Sequence, residues 1–413
     1  DTYGSLMTVT APADIDTAFS DFMPTFGLNM RQFDMMMKIY KILSQKYDVV
    51  CTNPPYMGGS GMNVKLSEFV KSKFPDSKSD LFACFIEKCG QLAKPHGFYA
   101  MITQHAFMFL SSYENLRRKL MLKTTVNMAH LGARAFDEIG GEVVQTTAFV
   151  MTGHIKDYKG TYARLVDTVG ENEKRDLFLS GDKRFAAKQE NFSKIPGMPV
   201  AYWVSENFIR AFERGISIDS ISDFTGSQHI TANNDKYLRL HWEIDANKVG
   251  MGKKWVYYAK GGDFRKWYGN IELVVDWSEG AVQYYKTNST SNLLAEKYRF
   301  KEGITYTELT SSVNTFRYLP PVCIFDKKGP SIVSVKKLWY CLGIFGTKIA
   351  PLYFAILNPT LSTQVRDVKN LPIIVNGEIE PKIDEIVKEN VEICKQDWND
   401  FETSWGFEKH PLI

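Results

Sequence analysis

The sequence lacks the patterns that mark a zinc centre or a serine hydrolase. Its six cysteines form no Cys-x-x-Cys pair, and its seven histidines form no His-Glu-x-x-His, the spacings at which zinc ligands are commonly found. No Gly-x-Ser-x-Gly motif occurs either. We therefore expect no metal and no hydrolysis by a serine nucleophile. Several cysteines lie among apolar residues, as in "FACFIEKC", which predicts buried free thiols in a reducing cytoplasm.

Long apolar runs and a strong excess of one charge are also missing. No run approaches the roughly 18 apolar residues that cross a bilayer, and the opening "DTYGSLMTVTAP" is not a signal peptide, so we expect no membrane partner. A net charge of +3 does not by itself identify a polyanionic partner. The chain does not begin with Met, and we expect it to be a piece of a longer protein. Its 413 residues, 44% of them hydrophobic, predict two or three domains.

An alternation of helix and strand patterns is present between residues 30 and 153. Apolar residues at helical spacing precede the apolar run "YDVVCT", and Ser79 or Asp80 can cap the next helix. Three further strand patterns follow, "GFYAMIT", "TTVNMAHL" and "EVVQTTAFVMTG". This alternation predicts an α/β sheet with helices on its faces. Ligands of such sheets lie beyond the carboxyl ends of the strands.

The tetrapeptide Asn53-Pro54-Pro55-Tyr56 follows the first of these strands. A Pro-Pro pair can simply fix a turn, but these residues also suit methylation of the amino group of a planar base. The amide oxygen of Asn53 and the carbonyl of Pro54 can accept hydrogen bonds from that amino group, which makes its lone pair available. Tyr56 can stack on a base that has left the duplex. No metal or strong base is needed if the methyl donor is an activated sulfonium.

The first part of the chain resembles the amino methyltransferases that act on adenine in DNA with S-adenosylmethionine. The resemblance rests on the tetrapeptide, on "SDLFACFIEKCGQLAKPHGFYAMITQHAFM", and on "LRRKLM" followed by "AHLGARAFDEIGGEVVQTTAFVM", in the order usual for the family. It covers roughly residues 1–155. It implies an α/β fold, the C-terminal portion of a Rossmann-like S-adenosylmethionine-dependent methyltransferase sheet, with Asn53, Pro54, Pro55 and Tyr56 as catalytic residues.

The resemblance implies further site residues and an incomplete cofactor site. Phe136 would close the base pocket opposite Tyr56, although a core aromatic at a strand end gives the same pattern. Asp80 would approach the methionine part of the cofactor, unless it only caps its helix. Asp1 would belong to the segment that contacts the cofactor's adenine, unless it is only a frayed terminus. The family's glycine-rich loop is expected before residue 1, so we expect this chain alone to be inactive.

The second half of the chain is rich in basic and aromatic residues. The segment "MGKKWVYYAKGGDFRKWYGN", residues 251–270, suits contact with phosphates and stacking on bases, although a basic hairpin with core aromatics has the same composition. "AKGGDFRKWYGN", "TGSQHITANNDKYLRLHWEI" and "PLYFAILNPTLSTQVRDVKNLPI" resemble the target-recognition half of the PglX methyltransferases of BREX phage-exclusion systems and of fused restriction–methylation enzymes. We predict DNA contacts by Lys260, Arg265, Lys266 and Arg317.

These patterns predict four regions and one main function. The regions are a partial catalytic domain (1–160), a connection (161–199), a mixed α+β target-recognition domain (200–375) and a C-terminal helical segment (376–413). The function is methylation of adenine N6 in double-stranded DNA, with base flipping, in a restriction-modification or phage-defence system with other subunits. Two alternatives stay open: a DNA-binding specificity subunit without turnover, and a protein or RNA amide or amino methyltransferase.

Overall fold

The structure, a computed structural model, describes residues 3–9, 30–136, 144–224, 228–309, 313–358 and 363–413. The chain divides into two compact units, unit 1 (Asp1–Val204) and unit 2 (Ser205–Ile413). Within the described ranges no single helix has the length and apolar character to cross a bilayer. Two successive helices, Leu338–Gly346 and Ala350–Leu357, which are bent by 80°, meet those criteria only when they are taken together.

Unit 1 is built around a six-stranded mixed sheet, which confirms the predicted α/β class. The strand order is β1-β2-β4-β3-β5-β6. The helices are α1 (Met30–Ser44), α2 (Val64–Lys73), α3 (Leu81–Leu92), α4 (Glu114–Leu120) and α5 (Glu171–Ser180), and the strands are β1 (Tyr47–Thr52), β2 (Ala93–Gln104), β3 (Thr124–Gly132), β4 (Thr146–Thr152), β5 (Lys159–Arg164) and β6 (Arg184–Lys188).

The strand directions bring four carboxyl ends to one edge of the sheet. β1 is parallel to β2 and β3 to β5, whereas β4 is antiparallel to both of its neighbours and β6 is antiparallel to β5. The residues that follow β1, β2, β3 and β5 therefore lie along the same edge. This edge is where ligands bind in α/β sheets.

The helix α3 forms as its sequence predicts. Asp80 is its N-cap and accepts a hydrogen bond from the Phe82 N–H at 3.2 Å. Phe82, Ile86 and Cys89 are buried at helical spacing and join Met101 of β2 in the core of unit 1. The helix thus covers one face of the sheet.

The boundary between the units lies further along the chain than the sequence patterns predict. β5 and β6 continue the sheet of unit 1, although residues 161–199 were expected to form a connection. The weak helical periodicity there reflects short strands that alternate buried and exposed side chains, as in β5. Unit 1 accordingly ends at Val204 rather than near residue 160.

Unit 2 is a mixed α+β unit with three small sheets. Their strand orders are β14-β10-β11-β9, β13-β12-β15-β8 and β16-β7. The helices are α6 (Glu206–Arg214), α7 (Asn234–Tyr237), α8 (Glu279–Thr287), α9 (Leu338–Gly346), α10 (Ala350–Leu357), α11 (Val365–Lys369) and α12 (Glu380–Asn399), and the strands are β7 (Ile216–Ser217), β8 (Asp223–Phe224), β9 (Leu238–Leu240), β10 (Trp255–Ala259), β11 (Leu273–Asp276), β12 (Gly303–Tyr306), β13 (Phe316–Leu319), β14 (Cys323–Phe325), β15 (Ser331–Val333) and β16 (Pro372–Ile373).

The C-terminal helix α12 is part of unit 2 and not a separate segment. Its Val387, Val391 and Trp398 are buried in the same core cluster as Phe345 of α9. The sequence predicts the helix itself, but its apolar stripe does not reveal which surface it covers. Residues 376–413 therefore belong to the fold of residues 205–375.

Candidate active site and nucleic-acid interface

The tetrapeptide Asn53–Tyr56 lies at the carboxyl edge of the sheet. β1 ends at Thr52, so Asn53 is the first residue beyond the strand. Asn53 and Pro55 are exposed, whereas Pro54 is buried. The amide of Asn53 is therefore accessible, and its backbone is held between the end of β1 and the ring of Pro54.

Tyr56 is held by two neighbouring elements. Its hydroxyl donates to the carbonyl of Ile102 in β2 at 3.4 Å, and its ring meets Phe82 of α3 edge-on, with the centroids 6.1 Å apart. Burial, assisted by the charge of Asp80, raises the pKa of the Tyr56 hydroxyl. The phenol is therefore protonated at neutral pH, and the half-buried ring has a defined orientation.

Asp80 fastens the loop after the tetrapeptide to the start of α3. The same carboxylate oxygen that caps α3 accepts a hydrogen bond from the Met57 N–H at 2.9 Å. Backbone bonds from Leu81 to Met57 and from Gly59 to Ser79, both at 3.1 Å, join the same two segments. These contacts agree with the helix-capping alternative for Asp80, and its contact with the cofactor stays a prediction.

Phe136 lies beyond the end of β3, on the same edge of the sheet as Asn53. β3 and β1 run in the same direction and have β2 and β4 between them. Phe136 is half-buried, which leaves part of its ring accessible. Asp1, the other predicted cofactor residue, lies outside the described residues.

A pair of histidines at the same edge was not predicted from the sequence. His105, directly after β2, and His130, near the end of β3, approach each other at 2.8 Å between Nδ1 and Nε2. His130 Nδ1 lies 3.1 Å from the Tyr202 hydroxyl. Burial lowers the pKa of His105 to about 4 and lowers that of His130 well below its ordinary value, with a contribution from His105 itself. Only the position of His105 directly after one strand pattern and of His130 near the end of the next could have indicated this pair.

An apolar face of the sheet borders Asn53. Val49 of β1 and its partner Phe98 of β2 are 63% and 42% exposed. On the same face Cys51 pairs with Ala100. Cys51, Asn53 and Ala100 border a cavity of about 500 Å³. Exposed apolar strand surface of this kind is unusual, because the faces of the sheets in α/β proteins are normally covered.

In unit 2 the three basic residues of the segment 260–266 have different surroundings. Arg265 makes an ion pair with Asp397 at 3.0 Å and lies 4.6 Å over the ring of Trp398, both in α12. Lys266 is exposed and borders a cavity of about 360 Å³. Lys260 is half-buried and borders another cavity of about 430 Å³. The two lysines are accessible to an anion, whereas the guanidinium of Arg265 is already engaged.

Arg317 is not placed to contact DNA, which corrects the prediction. The residue is 1% exposed, because the segment around Trp267 pairs with the edge of β13 and covers it. Its guanidinium donates to the Thr307 and Thr315 hydroxyls and to the Arg265 carbonyl at 3.2–3.4 Å. Burial lowers its pKa to about 10. From sequence alone a basic residue in an aromatic strand cannot be assigned to the surface or to the core.

Comparison with known proteins identifies related sequences. Residues 13–133 match the family Eco57I restriction-modification methylase. The chain is 36% identical, over 92% of its length, to the adenine-specific methyltransferase PglX of Lacticaseibacillus casei (strain Zhang). It is 39% identical, over 90% of its length, to the adenine-specific methyltransferase BrxX of Escherichia coli O9:H4 (strain HS).

Two solved structures share the fold. The Type IIL restriction-modification enzyme MmeI in complex with DNA has a TM-score of 0.53 at 12% identity, and the match covers 88% of this chain and 52% of that chain. The ATP-dependent Type ISP restriction-modification enzyme LlaBIII, bound to DNA, has a TM-score of 0.50 at 13% identity over 95% and 32% of the two chains. At these identities the likeness concerns the fold alone.

The chain covers only part of each of these relatives, so the similarity concerns only that part. The chain spans 33% of the PglX sequence and 31% of the BrxX sequence. Over at least 90% of its own length, however, it aligns with both. The predicted resemblance is therefore confirmed: the chain is a homologue of the adenine-specific methyltransferases PglX and BrxX and corresponds to about a third of each.

Proposed function

We propose that the protein containing this chain methylates the N6 amino group of adenine in double-stranded DNA, with S-adenosylmethionine as methyl donor and the target base flipped out of the duplex. The observation that supports this proposal is the position of Asn53–Tyr56. An accessible amide, a fixed carbonyl and an oriented aromatic ring lie together at the ligand-binding edge of the sheet. The proposed setting is a restriction-modification or phage-defence system.

The tetrapeptide performs three tasks in this reaction. The Asn53 side-chain oxygen and the Pro54 carbonyl accept hydrogen bonds from the two N–H groups of the adenine amino group. Tyr56 stacks on the flipped base and offsets part of the cost of unstacking. Phe136, on the same edge, covers the other face of the base. The amino nitrogen would take the methyl group as the carbon–sulfur bond of the sulfonium breaks to leave a neutral thioether, and it would lose one proton to solvent.

The described residues fit only part of a cofactor site. S-adenosylmethionine supplies a methyl group on a sulfonium, so the protein needs to bind and orient it rather than activate it. The cavity beside Asn53 is apolar and is bordered by the exposed face of β1, an edge strand. We propose that the remaining part of the site comes from a portion of the protein that corresponds to the two-thirds of PglX not covered by this chain.

Unit 2 is proposed as the part that reads DNA. Its accessible lysines, Lys260 and Lys266, can bind phosphates. The complexes of MmeI and LlaBIII, whose folds resemble this chain, contain DNA. The C-terminal portion of a Rossmann-like methyltransferase sheet would then be followed by a mixed α+β target-recognition domain within 205–413.

The test is methyl transfer by the full-length protein that contains this chain. It is incubated with plasmid DNA and S-adenosylmethionine labelled in the methyl group, and the DNA is digested to nucleosides, among which N6-methyladenine is measured. Asn53→Ala is expected to lower kcat on the order of 100- to 1,000-fold, because it removes a preorganised polar contact with the reacting group. Asn207→Ala, at an exposed asparagine of α6, is the matched control.

The same assay separates the alternatives. Label in a protein amide or in RNA, with none in DNA, would replace this proposal by the amide or RNA methyltransferase. Sequence-selective DNA binding without label in any acceptor would favour a specificity subunit without turnover. Full activity of Asn53→Ala would show that the tetrapeptide is only a turn.

A further inference from the structure

The C-terminal helix α12 of unit 2 carries a line of exposed isoleucines. Ile379, directly before the helix, and Ile386 and Ile393 within it are 46%, 47% and 59% exposed. They follow one another at intervals of seven residues, which is close to two helical turns, so their side chains lie in one line along α12. This isoleucine stripe is separate from the side of α12 that packs into the core through Val387 and Val391.

The regular spacing distinguishes the isoleucine stripe from ordinary surface residues. Single apolar side chains scattered over a surface are normal. Apolar side chains repeated every seven residues are instead the pattern by which one helix packs along another. The stripe therefore suits a second helix that lies along α12.

A row of glutamates runs beside the isoleucine stripe. Glu378, Glu385 and Glu392 each directly precede one of the isoleucines and are exposed. Among the residues that the structure describes, Glu378 and Glu385 make no ion pair, and Glu392 pairs with Lys395 of the same helix at 3.6 Å. Because a row of carboxylates repels phosphates, this side of α12 is unsuited to contact with DNA.

A second copy of the chain also fits the isoleucine stripe poorly. In an antiparallel pair of α12 helices, the glutamate row of one copy faces the same row of the other, so Glu385 meets a glutamate. In a parallel pair, Glu392 meets Asp397 of the other copy. Like charges at these positions select against pairing. The charges instead favour a different helix with basic residues beside its own apolar stripe.

The size of the apolar surface favours an occupant in the same polypeptide. The isoleucine stripe, extended by the exposed Ile374 and Val375, offers only about half of the roughly 800 Å² per partner that a stable complex of separate proteins buries. A tethered helix needs less surface, because the tether raises its effective concentration. PglX and BrxX each have about two-thirds of their length outside the match with this chain, which is room for such a helix.

We propose that a helix from the portion of the same protein that corresponds to the part of PglX not covered by this chain docks on the isoleucine stripe. Its apolar side chains pack between the isoleucines, and its lysine or arginine side chains lie against Glu385 and Glu392. This contact is independent of the reaction proposed for unit 1.

The docked helix lies beside the segment that unit 2 is proposed to use for DNA. Asp397, four residues after Ile393 and therefore on the same side of α12, pairs with Arg265 at 3.0 Å. One end of the isoleucine stripe thus adjoins the basic segment 260–266. The contact holds the proposed DNA-reading unit to another part of the protein at this point.

The experiment locates the occupant by cross-linking within the full-length protein that contains this chain. Ile386 is replaced by the photo-crosslinking residue p-benzoylphenylalanine, the purified protein is irradiated, and the cross-linked peptides are identified by mass spectrometry. The expected product has the mass of a monomer and joins residue 386 to one helix in the portion not covered by this chain. The same replacement at Leu352, which is 52% exposed on α10, is the control and is expected not to join that helix.

Charge reversal tests the basic character of the docked helix. Glu385→Lys/Glu392→Lys, combined with the cross-linker at residue 386, is expected to lower the cross-link yield on the order of three- to tenfold, and by less at high salt, which screens exposed charges. Glu402→Lys/Glu408→Lys, at two exposed residues after α12, has the same change in charge and is expected to keep the yield within about twofold. Hydrogen exchange of peptides from α12 checks that the helix stays folded in both variants.

The other outcomes overturn the proposal. A product with the mass of a dimer would assign the isoleucine stripe to a second copy. No cross-link from residue 386, or cross-links confined to residues 1–413, would mean that no other part of the protein covers the stripe. An equal loss of yield in the two charge variants, or no loss in either, would remove the basic helix as the occupant. None of these results bears on whether the protein methylates DNA, which the methyl-transfer assay measures separately.

Discussion

Units 1 and 2 use buried arginines in opposite ways. Arg117 and Arg317 are both 1% exposed, yet Arg117 donates four hydrogen bonds of 2.7–2.9 Å to three backbone carbonyls. Arg317 makes three longer bonds, and its Nε has no partner within the described ranges. In unit 1 the guanidinium of Arg117 joins Gly197 to Phe107 and Leu110, which follow β2. In unit 2 the guanidinium of Arg317 has weaker hydrogen bonds.

The largest expected difference in stability comes from replacing each arginine by methionine. Arg117→Met removes the guanidinium donors from the carbonyls of Phe107, Leu110 and Gly197, of which Leu110 keeps the bond from the Tyr113 N–H. We expect it to lower the free energy of unfolding by about 3 kcal/mol. Arg317→Met removes a costly buried charge whose hydrogen bonds are 3.2–3.4 Å long, so we expect a change within about 1 kcal/mol or a gain. Urea unfolding, followed by hydrogen exchange of peptides from each unit, measures both values.

That comparison fails if the two variants lose similar stability. An equal loss would mean that the longer hydrogen bonds of Arg317 stabilise unit 2 as much as those of Arg117 stabilise unit 1. Arg118→Met is the control for unit 1, because Arg118 follows directly in α4 but is 65% exposed in its side chain. It is expected to change stability by less than about 0.5 kcal/mol.

The same contrast explains what could be predicted from the sequence. The strands β1 to β4, helix α3 and the position of Asn53 follow from local patterns, because strand ends and caps are set by neighbouring residues. Arg317 donates to the carbonyl of Arg265, 52 positions before it, and Arg265 pairs with Asp397, 132 positions after it. Composition cannot distinguish a basic residue on the surface from one that the packing of distant segments has buried.

The histidine pair could not be predicted from the sequence, because it too depends on how distant segments pack. His105 follows β2 and His130 lies near the end of β3, and their approach depends on β4 lying between these two strands. The sequence indicates the strands but not their order. Asp80, by contrast, was correctly predicted as a possible cap because its partner Phe82 is two residues away.

A second prediction tests how far Asp80 positions the loop that carries Asn53–Tyr56 in unit 1. Asp80→Ala removes the acceptor for Met57 and Phe82, so we expect a loss of about 1–2 kcal/mol of stability and at least tenfold in kcat. Asp80→Asn keeps an acceptor oxygen and is expected to recover most of kcat. The assay is methyl transfer at varied S-adenosylmethionine, with urea unfolding in parallel. A large rise in the KM for S-adenosylmethionine in Asp80→Asn, with kcat unchanged, would instead indicate a direct contact with the cofactor.

The histidine pair predicts a pH dependence of the stability of unit 1. Unfolded imidazoles titrate near pH 6.5, whereas burial lowers the pKa of folded His105 to about 4 and lowers that of His130 well below its ordinary value. As the pH falls below about 6.5, the unfolded chain therefore binds protons that the folded chain does not, and stability is lost down to about pH 4. We expect a loss of about 3 kcal/mol from His105 alone over this range, measured by urea unfolding at several pH values.

The control for this titration is a matched exposed histidine. His105→Asn/His130→Asn is expected to flatten the dependence between pH 6.5 and pH 4 in peptides from unit 1, whereas His96→Asn, at an exposed position, leaves it unchanged. An unchanged slope in the double variant would assign the acid sensitivity to other groups. His229 of unit 2, whose pKa burial lowers to about 3, should then be replaced in the same way.

The smallest expected effect concerns Arg265, which the sequence predicts as a DNA contact and which the fold engages elsewhere. The Asp397 carboxylate is 64% exposed, so the ion pair is screened, and Arg265→Ala should cost about 0.5–1 kcal/mol of stability together with the contact to Trp398. Asp397→Asn is the informative partner variant, because it releases the guanidinium without removing it. If Arg265 is structural, Asp397→Asn changes the affinity for duplex DNA less than twofold and Arg265→Ala weakens it less than Lys266→Ala does. A clear gain in affinity for Asp397→Asn would show that the ion pair with α12 keeps the Arg265 guanidinium from DNA. Arg265 would then belong to the DNA-binding residues of unit 2 and not to the structural ones.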